Sequence, residues 1–204
     1  MEPIVQCIKV TKLYEGRFKA LDDVNLEIKR GEFVFIVGPT GAGKTTLLRH
    51  IYMSEFPDDG EVRVLEYSSR YVSRREINFL RRKIGIIFQD FKLLTDRNAL
   101  SNVSLALEAQ GENPKKAREK ALNVLYNLGM LSKAEKSIYE LSGGEKQKVA
   151  IARALVREPV ILIADEPTGN IDPKAQEEIM NLLQEIHSKG TTILMATHNY
   201  SLIE

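Results

Sequence analysis

The stretch GPTGAGKT, which runs from Gly38 to Thr45, matches every position of a phosphate-binding loop. It follows the apolar run FVFIV and precedes a helical pattern, which is the context that such a loop requires. Its glycines let backbone N–H groups approach phosphate oxygens, Lys44 can reach the outer phosphates, and the Thr45 hydroxyl is a ligand for Mg²⁺. We therefore predict a phosphate site formed by Gly38, Pro39, Thr40, Gly41, Ala42, Gly43, Lys44, Thr45 and Thr46.

Two neighbouring acids, Asp165 and Glu166, follow an apolar run in the stretch VILIADEP. A parallel strand that ends there delivers the Asp165 carboxylate to the edge of the sheet where the phosphate loop also lies, and there it can bind Mg²⁺. Glu166 would then stand beside the metal and polarise an attacking water. Two solvated acids at a strand end are the alternative, which the phosphate loop earlier in the chain makes the weaker interpretation.

A second candidate anion site lies at the start of the helical pattern LSGGEKQKVAIARAL, residues 141–155. Ser142, Gly143 and Gly144 precede its apolar positions and leave backbone N–H groups uncovered at the positive end of the helix. Ser142 follows Lys44 at a long distance along the chain, beyond a helical segment. We therefore do not expect one chain to fold both anion sites onto one nucleotide.

Four short apolar runs predict a parallel sheet. Nearly continuous apolar runs of this length are typical of strands buried on both faces. They are FVFIV (33–37), IGIIF (84–88), VILIA (160–164) and TTILMA (191–196). Between the last two runs we predict a crossover helix, with Asp172 as its cap, Pro173 in its first turn and Gly190 as its stop.

The segments around this sheet have a different character. Polar and apolar residues alternate up to about residue 28, which predicts antiparallel strands at the N-terminus. Residues 91–156 carry helical patterns and no buried strand, which predicts an inserted helical subdomain. We predict a single α/β domain over residues 1–204, with a mainly parallel sheet core of about 1–90 and 157–204 and a helical subdomain of about 91–156.

The composition is that of an ordinary globular domain, with 43% hydrophobic and 28% charged residues and a formal net charge of +1. No apolar run approaches the roughly 20 residues of a membrane helix, so any link to a membrane would go through a partner. The start MEPIVQC lacks the basic and apolar segments of a signal peptide. We expect the single cysteine, Cys7, in the core, and His50 and His187 on the surface of predicted helices.

Five motifs together resemble the nucleotide-binding domain of ABC ATPases: the phosphate loop, Gln89 after IIF, LSGGE, DEPT, and His198 after LMAT. The resemblance covers nearly the whole chain and implies a P-loop NTPase fold of ABC type that hydrolyses ATP with Mg²⁺. It implies that Tyr14 stacks on adenine, that Gln89 senses Mg²⁺ and water, and that His198 contacts the terminal phosphate. An edge-strand tyrosine is the alternative for Tyr14. The implied catalytic residues are Glu166, His198 and Gln89, and the implied Mg²⁺ ligands are Thr45, Gln89 and Asp165.

The resemblance also implies a homodimer in the ATP state. Two ABC domains pack head to tail, so that Ser142, Gly143 and Gly144 of one chain would cap the ATP held by the other. Asp172, in GNID, resembles the acid of the loop that crosses between the two domains. Glu145 stands where many relatives have glutamine, and it adds negative charge near phosphate with an effect that the sequence leaves open.

A finer resemblance, carried by FQDFKLL, LSGGE and DEPTGNIDP, is to the FtsE family of bacterial cell-division ATPases. It implies a polytopic, FtsX-like integral membrane partner that holds the chain at the cytoplasmic face of the cell membrane, without nucleic acid. Two alternatives are an ATPase of a lipoprotein-release or macrolide-type exporter and a soluble ABC ATPase acting on nucleic acid or ribosomes. The near-neutral charge and the lack of long heptad arms disfavour the second alternative.

Two further points stay open in the sequence. Within residues 89–94, QDFKLL, the apolar Phe91, Leu93 and Leu94 belong either to an exposed surface for the membrane partner or to the core. The chain also stops six residues after His198, where ABC domains usually continue with a strand and a helix, so we expect further residues beyond 204.

Overall fold

The computed structural model describes residues 2–16 and 18–202. The strands are β1 (Pro3–Tyr14), β2 (Phe18–Lys29), β3 (Phe33–Val37), β4 (Asp59–Val64), β5 (Tyr67–Ser68), β6 (Ile84–Ile87), β7 (Ile161–Asp165) and β8 (Thr192–Thr197). The helices are α1 (Lys44–Ile51), α2 (Arg74–Arg82), α3 (Ala99–Glu108), α4 (Pro114–Asn127), α5 (Gly143–Leu155) and α6 (Pro173–Ser188). Short 3₁₀ turns occupy Leu131–Lys133, Ile138–Glu140 and Tyr200–Leu202.

The first sheet is antiparallel, with the strand order β2-β1-β4-β5. Alternation along β1 buries Val5 and Cys7, and a register irregularity at Lys9 lets Val10 join them, so that all three pack with the side chains of β4 in one core. The predicted N-terminal antiparallel strands are therefore confirmed. Strands β4 and β5 were not predicted from the sequence, because β4 is rich in charged residues and β5 has only two residues.

The second sheet is parallel, with the order β3-β8-β7-β6, and its strands lie within one residue of the four predicted runs. The central strand β8 is buried along its whole length, as predicted. The prediction of burial on both faces is wrong for β3, because this strand lies at the sheet edge and Val37 at its end is 42% exposed. Val37 pairs with Thr197, and Asp165 pairs with Ala196, so β3, β7 and β8 end at the same edge.

Helices α3, α4 and α5 form a second core in residues 99–156. Asn113 caps α4 and Pro114 opens it, so that Ala117, Ala121 and Leu125 line its buried face. Leu125 is fully buried, and its truncation to alanine would cost about 2–5 kcal/mol of stability.

Helix α5 belongs to two cores at once. Val149 and Ala152 pack in the helical core, whereas Ile151 and Ala154 pack against the parallel sheet. Because side chains on both faces are buried, α5 is a rigid connection between the helices and the sheet.

The prediction that His50 lies on the surface is wrong. His50 is fully buried in α1, and its Nδ1 lies 2.7 Å from the Thr46 carbonyl oxygen. The reason is that α1 packs between β4 of one sheet and β8 of the other, which leaves little of its circumference to solvent. His187 is half-buried on α6, and its Nε2 lies 2.8 Å from the Gly31 carbonyl oxygen.

Across residues 2–16 and 18–202, no helix has both the length and the apolar character needed to cross a bilayer. The longest helix is α6, with 16 residues, and charged side chains interrupt its sequence.

Candidate nucleotide-binding site

The phosphate loop connects the end of β3 to the start of α1. Gly43 precedes α1 with a φ of 86°, and a Cβ there would lie 2.2 Å from the Ala20 carbonyl oxygen, so only glycine fits. No side chain in the described part of the chain caps α1, which leaves the N–H groups of its first turn available to an anion. Lys44 is nearly buried, and its Nζ donates hydrogen bonds to the carbonyl oxygens of Gly38 (2.7 Å) and Pro39 (3.1 Å).

Asp165 lies at the end of β7 and carries a buried oxygen, Oδ1, that has no hydrogen-bond partner within residues 2–16 and 18–202. Burial raises the pKa of the Asp165 carboxyl above its ordinary value, and the nearby Thr45 hydroxyl opposes part of this rise. A buried carboxylate oxygen that accepts no hydrogen bond and a neighbouring hydroxyl together form a suitable pair of ligands for a hard divalent cation. The residues present therefore fit Mg²⁺.

Glu166 follows Asp165 in the left-handed backbone region, with a φ of 49°. Its N–H donates to the Ala196 carbonyl oxygen at 2.9 Å, which ties the strained residue to β8. The Glu166 carboxylate is nearly buried: Oε1 lies 3.5 Å from Lys44 Nζ, and Oε2 lies 2.9 Å from His198 Nδ1. Oε2 also accepts the His198 backbone N–H at 3.3 Å.

These groups surround a cavity of about 310 Å³ at the edge of the parallel sheet. Its lining brings together ten of the predicted site residues: Tyr14, Thr40, Gly41, Gly43, Lys44, Thr45, Thr46, Gln89, Glu166 and His198. Asp165 is outside the lining but adjoins it through Glu166 and Thr45. Ser142 and Gly144 are not part of this cavity and instead line a separate depression of about 200 Å³ with Asp172.

Aromatic residues line the cavity at the hairpin between β1 and β2. The Tyr14 hydroxyl donates to Glu55, which also pairs with Arg49 of α1 at 2.9 Å. Phe18 pairs with Tyr14 across the hairpin and lines the same cavity with 59% of its surface exposed. Phe18 was not predicted as a site residue, although its pairing with a second aromatic residue across two neighbouring strands was a signal for it.

The loop after β6 is held from two sides. Gln89 is exposed, and its carbonyl oxygen accepts a hydrogen bond from Asn170 Nδ2 at 3.2 Å. Phe91 and Lys92 both have left-handed backbones, and their carbonyl oxygens accept from the Arg153 guanidinium of α5 at 2.7 Å and 2.5 Å. Asn170 and Arg153 were not predicted as site residues, because nothing in their local sequence indicates these distant contacts.

The apolar residues of this loop divide between surface and core. Phe91 and Leu93 are half-buried, and Leu93 packs against the helical core. Leu94 is 40% exposed.

The backbone N–H groups at the start of α5 are not all uncovered, in contrast to the expectation from the sequence. The Ser142 side chain caps the helix by accepting the Glu145 N–H, and the Glu145 carboxylate accepts the Ser142 N–H at 2.8 Å. The Ser142 N–H is therefore occupied, and the expectation is wrong for this group. A Cβ on Gly143 would lie 3.2 Å from Ile171 Cγ2, and one on Gly144 would lie 2.9 Å from Ala175 Cβ, so both glycines permit close packing.

A larger groove, of about 500 Å³, lies among residues of α2, β6, α3 and α5. Arg81, Arg82, Arg153 and Arg157 line it, and no carboxylate does. The buried Nε atom of Arg157 and the buried Nε2 atom of Gln110, both in this lining, have no hydrogen-bond partner among the residues that the structure describes. The groove thus offers positive charge and N–H donors that lack acceptors.

Three features together define an ATP-binding cassette. They are the phosphate loop after β3, the paired acids after β7 and the helical layer that ends in the capped helix α5. The chain matches the ABC transporter family over residues 21–169 and belongs to it. It is an ATP-hydrolysing member of that family.

The cell division ATP-binding protein FtsE of Bacillus subtilis (strain 168) is 44% identical over 200 residues, which cover 98% of this chain and 88% of the relative. FtsE of Mycobacterium tuberculosis (strain H37Rv) is 45% identical over 196 residues, or 96% of this chain and 85% of the relative.

Solved structures of cassettes have the same fold. A dimeric post-hydrolysis state of the cassette MJ0796, bound to ADP and Pi, has a TM-score of 0.87 and 38% identity, and the match covers 97% of this chain and 89% of the other. CbiO1 of Clostridium perfringens has a TM-score of 0.88 and 34% identity, over 100% of this chain and 81% of the other. The predicted fold class is therefore confirmed.

Proposed function

We propose that the chain is the ATPase subunit of an FtsE-like cell-division complex, and that it binds ATP with Mg²⁺ in the cavity of about 310 Å³. The observation that carries the assignment of the site is the Glu166 carboxylate, which lies between Lys44 Nζ at 3.5 Å and His198 Nδ1 at 2.9 Å. The candidate residues for binding phosphate (Lys44), activating water (Glu166) and sensing phosphate (His198) are therefore in contact with one another through Glu166.

The roles follow from these contacts. Phosphates would draw Lys44 away from Glu166 and from the carbonyl oxygens that it now contacts, because a phosphate is the stronger acceptor for an ammonium group. The freed Glu166 carboxylate accepts a proton from the attacking water, and His198 keeps that carboxylate oriented. Asp165, Thr45 and Gln89 would hold Mg²⁺, which would supply positive charge to neutralise the transferring phosphate. Tyr14 and Phe18 offer aromatic faces to the adenine.

We also propose a head-to-tail homodimer in the ATP state. Ser142 lies outside the nucleotide cavity of its own chain, at the N-terminal end of α5, and the N-terminus of a helix favours anions. The solved structures similar to this chain include dimeric cassettes. In such a pair, Ser142, Gly143 and Gly144 of one copy contact the ATP of the other, and Asp172 lies near the junction.

The proposed partner is an FtsX-like integral membrane protein, which would hold the chain at the cytoplasmic face of the cell membrane. The arginine-lined groove and the adjoining Phe91 support this proposal, since a cytoplasmic segment of the partner with carboxylate or carbonyl acceptors would satisfy the free donors. We propose residues 91–156 as the helical subdomain that carries much of this surface and residues 1–90 and 157–204 as the core. An exporter partner is the alternative, and co-purification from solubilised membranes distinguishes the two.

The test of the site compares three purified variants. Glu166→Gln should lose about 10²–10⁴-fold in ATP hydrolysis while it retains ATP binding, because the phosphate and metal ligands remain. Lys44→Ala should lose ATP binding itself. Glu185→Gln is the matched control, since Glu185 is an exposed acid of α6 paired with Lys189. Hydrolysis by Glu166→Gln at the parental rate would contradict the proposal.

A further inference from the structure

Glu145 places a negative charge in the first turn of α5, where the proposed dimer requires the γ-phosphate of the other copy to bind. Its Oε2 atom accepts the Ser142 N–H at 2.8 Å, and its own N–H donates to Ser142 Oγ at 3.3 Å. An acid in the first turn stabilises the helix, but it also repels an incoming phosphate. The γ-phosphate of the other copy would therefore meet an unfavourable charge unless that charge is neutralised.

Lys133 provides this neutralisation. It ends the 3₁₀ turn Leu131–Lys133, and its Nζ lies 3.1 Å from Glu145 Oε1. The hydrogen bond from the Ser142 backbone, followed by the contact with Lys133, holds the pKa of Glu145 below its ordinary value, so the carboxylate is charged. Lys148, which lines the same depression, is paired instead with Glu178 at 2.8 Å.

The two oxygens of Glu145 are thus both occupied, one by Lys133 and one by the Ser142 N–H. Within the described residues, the capping box uses the N–H groups of Ser142 and Glu145, and no bond occupies those of Gly143 and Gly144. An anion can approach these two groups as long as the carboxylate stays turned to Lys133.

We propose that Lys133 is a positioning residue for the composite ATP site, because it neutralises Glu145 and holds its carboxylate away from the γ-phosphate of the other copy. The proposal rests on the head-to-tail dimer proposed above. It assigns a function to a residue outside the phosphate loop, the acid pair and the signature motif.

The test uses the Glu166→Gln chain, in which ATP is bound and not hydrolysed, and measures the ATP-dependent dimer by sedimentation. Lys133→Gln should weaken the dimer by about fivefold or more, because each dimer contains the uncompensated charge twice. Lys133→Arg should keep the parental affinity. Adding Glu145→Gln to Lys133→Gln should restore the dimer, since glutamine retains the capping box without the charge.

Lys136→Gln is the matched control, since Lys136 is an exposed lysine three residues away that pairs with Glu140 at 2.8 Å. If Lys133→Gln dimerises as Lys136→Gln does, the proposal is overturned. If Glu145→Gln fails to restore the dimer of a folded double variant, Lys133 acts by a different contact, and the proposal is again overturned. A Glu166→Gln parent that binds ATP and stays monomeric would instead refute the head-to-tail dimer itself.

Discussion

At the scale of single residues, contacts with neighbouring groups hold both Lys44 and Glu166 in place. Lys44 donates hydrogen bonds to two loop carbonyl oxygens, and its ammonium group also lies close to the Glu166 carboxylate. Glu166 is also strained, and its hydrogen bond to Ala196 keeps it in place. The backbone hydrogen bond and the contacts with Lys44 and His198 therefore fix the position of the Glu166 carboxylate.

The single cysteine provides a residue-scale prediction about the N-terminal sheet. Cys7 is buried in β1, and burial raises the pKa of its thiol to about 12. Because the thiolate is the reactive form, a thiol reagent at pH 8 should modify the native protein at least about 100-fold more slowly than the unfolded protein. Raising the pH from 8 to 9.5 should accelerate labelling of the native chain by about 30-fold and that of the unfolded chain by less than about tenfold, because only the unfolded thiol approaches full ionisation in this range. Comparable native and unfolded rates would show that β1 is not packed as described.

At the scale of elements, α5 connects three parts of the site. Its first turn carries Ser142 and Glu145, and Gln147 Nε2 donates to the Pro167 carbonyl oxygen at 2.7 Å in the loop after the acid pair. Near its other end, Arg153 holds the carbonyl oxygens of Phe91 and Lys92. A displacement of α5 on ATP binding would therefore be transmitted to the proposed partner surface, because the helix is packed on both faces.

Phe91 tests this surface. Phe91→Ala should reduce co-purification with the membrane partner by several-fold and leave ATP binding unchanged, because the side chain is only half-buried and lies outside the nucleotide cavity. Tyr126→Ala is the matched control, since Tyr126 is an aromatic residue on α4 that is 67% exposed. Equal recovery of the partner with both variants would remove Phe91 from the interface.

At the scale of the whole molecule, the two candidate anion sites of one chain line separate cavities, which favours our proposal of a site shared between two copies. Gly143 is a poor place to test this sharing, because a side chain there would press on Ile171 and Asn170. Ser142 is exposed, and aspartate at this position keeps the helix cap while it adds a charge against phosphate. Ser142→Asp is therefore the cleaner variant.

Mixing two inactive variants tests the shared site. Lys44→Ala and Ser142→Asp should each be inactive alone, and an equal mixture should recover roughly a quarter of the parental activity, because half of the dimers then contain one intact composite site. The deciding measurement is a disulfide between cysteines placed near Ser142 and near Gly41, with Cys7 replaced. An ATP-dependent crosslink between chains is expected, and a crosslink confined to single chains would refute the dimer.

Much of this protein was determined by local sequence. The phosphate loop and the cap of α6 at Asp172 are set by glycine conformation and side-chain hydrogen bonds over a few residues, so they could be recognised without a structure. The central strands β7 and β8 were equally evident, because strands covered on both faces must be apolar at every position.

Only the tertiary structure decided the remaining features. The strand order β3-β8-β7 brings Lys44, Glu166 and His198 to one sheet edge, and no local pattern specifies which strands are neighbours. Packing between separate elements likewise decides three other features. They are the burial of His50, the arginine-lined groove and the pairing of Lys133 with Glu145. Hydrophobic periodicity reports which face of one element is buried, whereas distances between side chains on different elements arise only when those elements pack together.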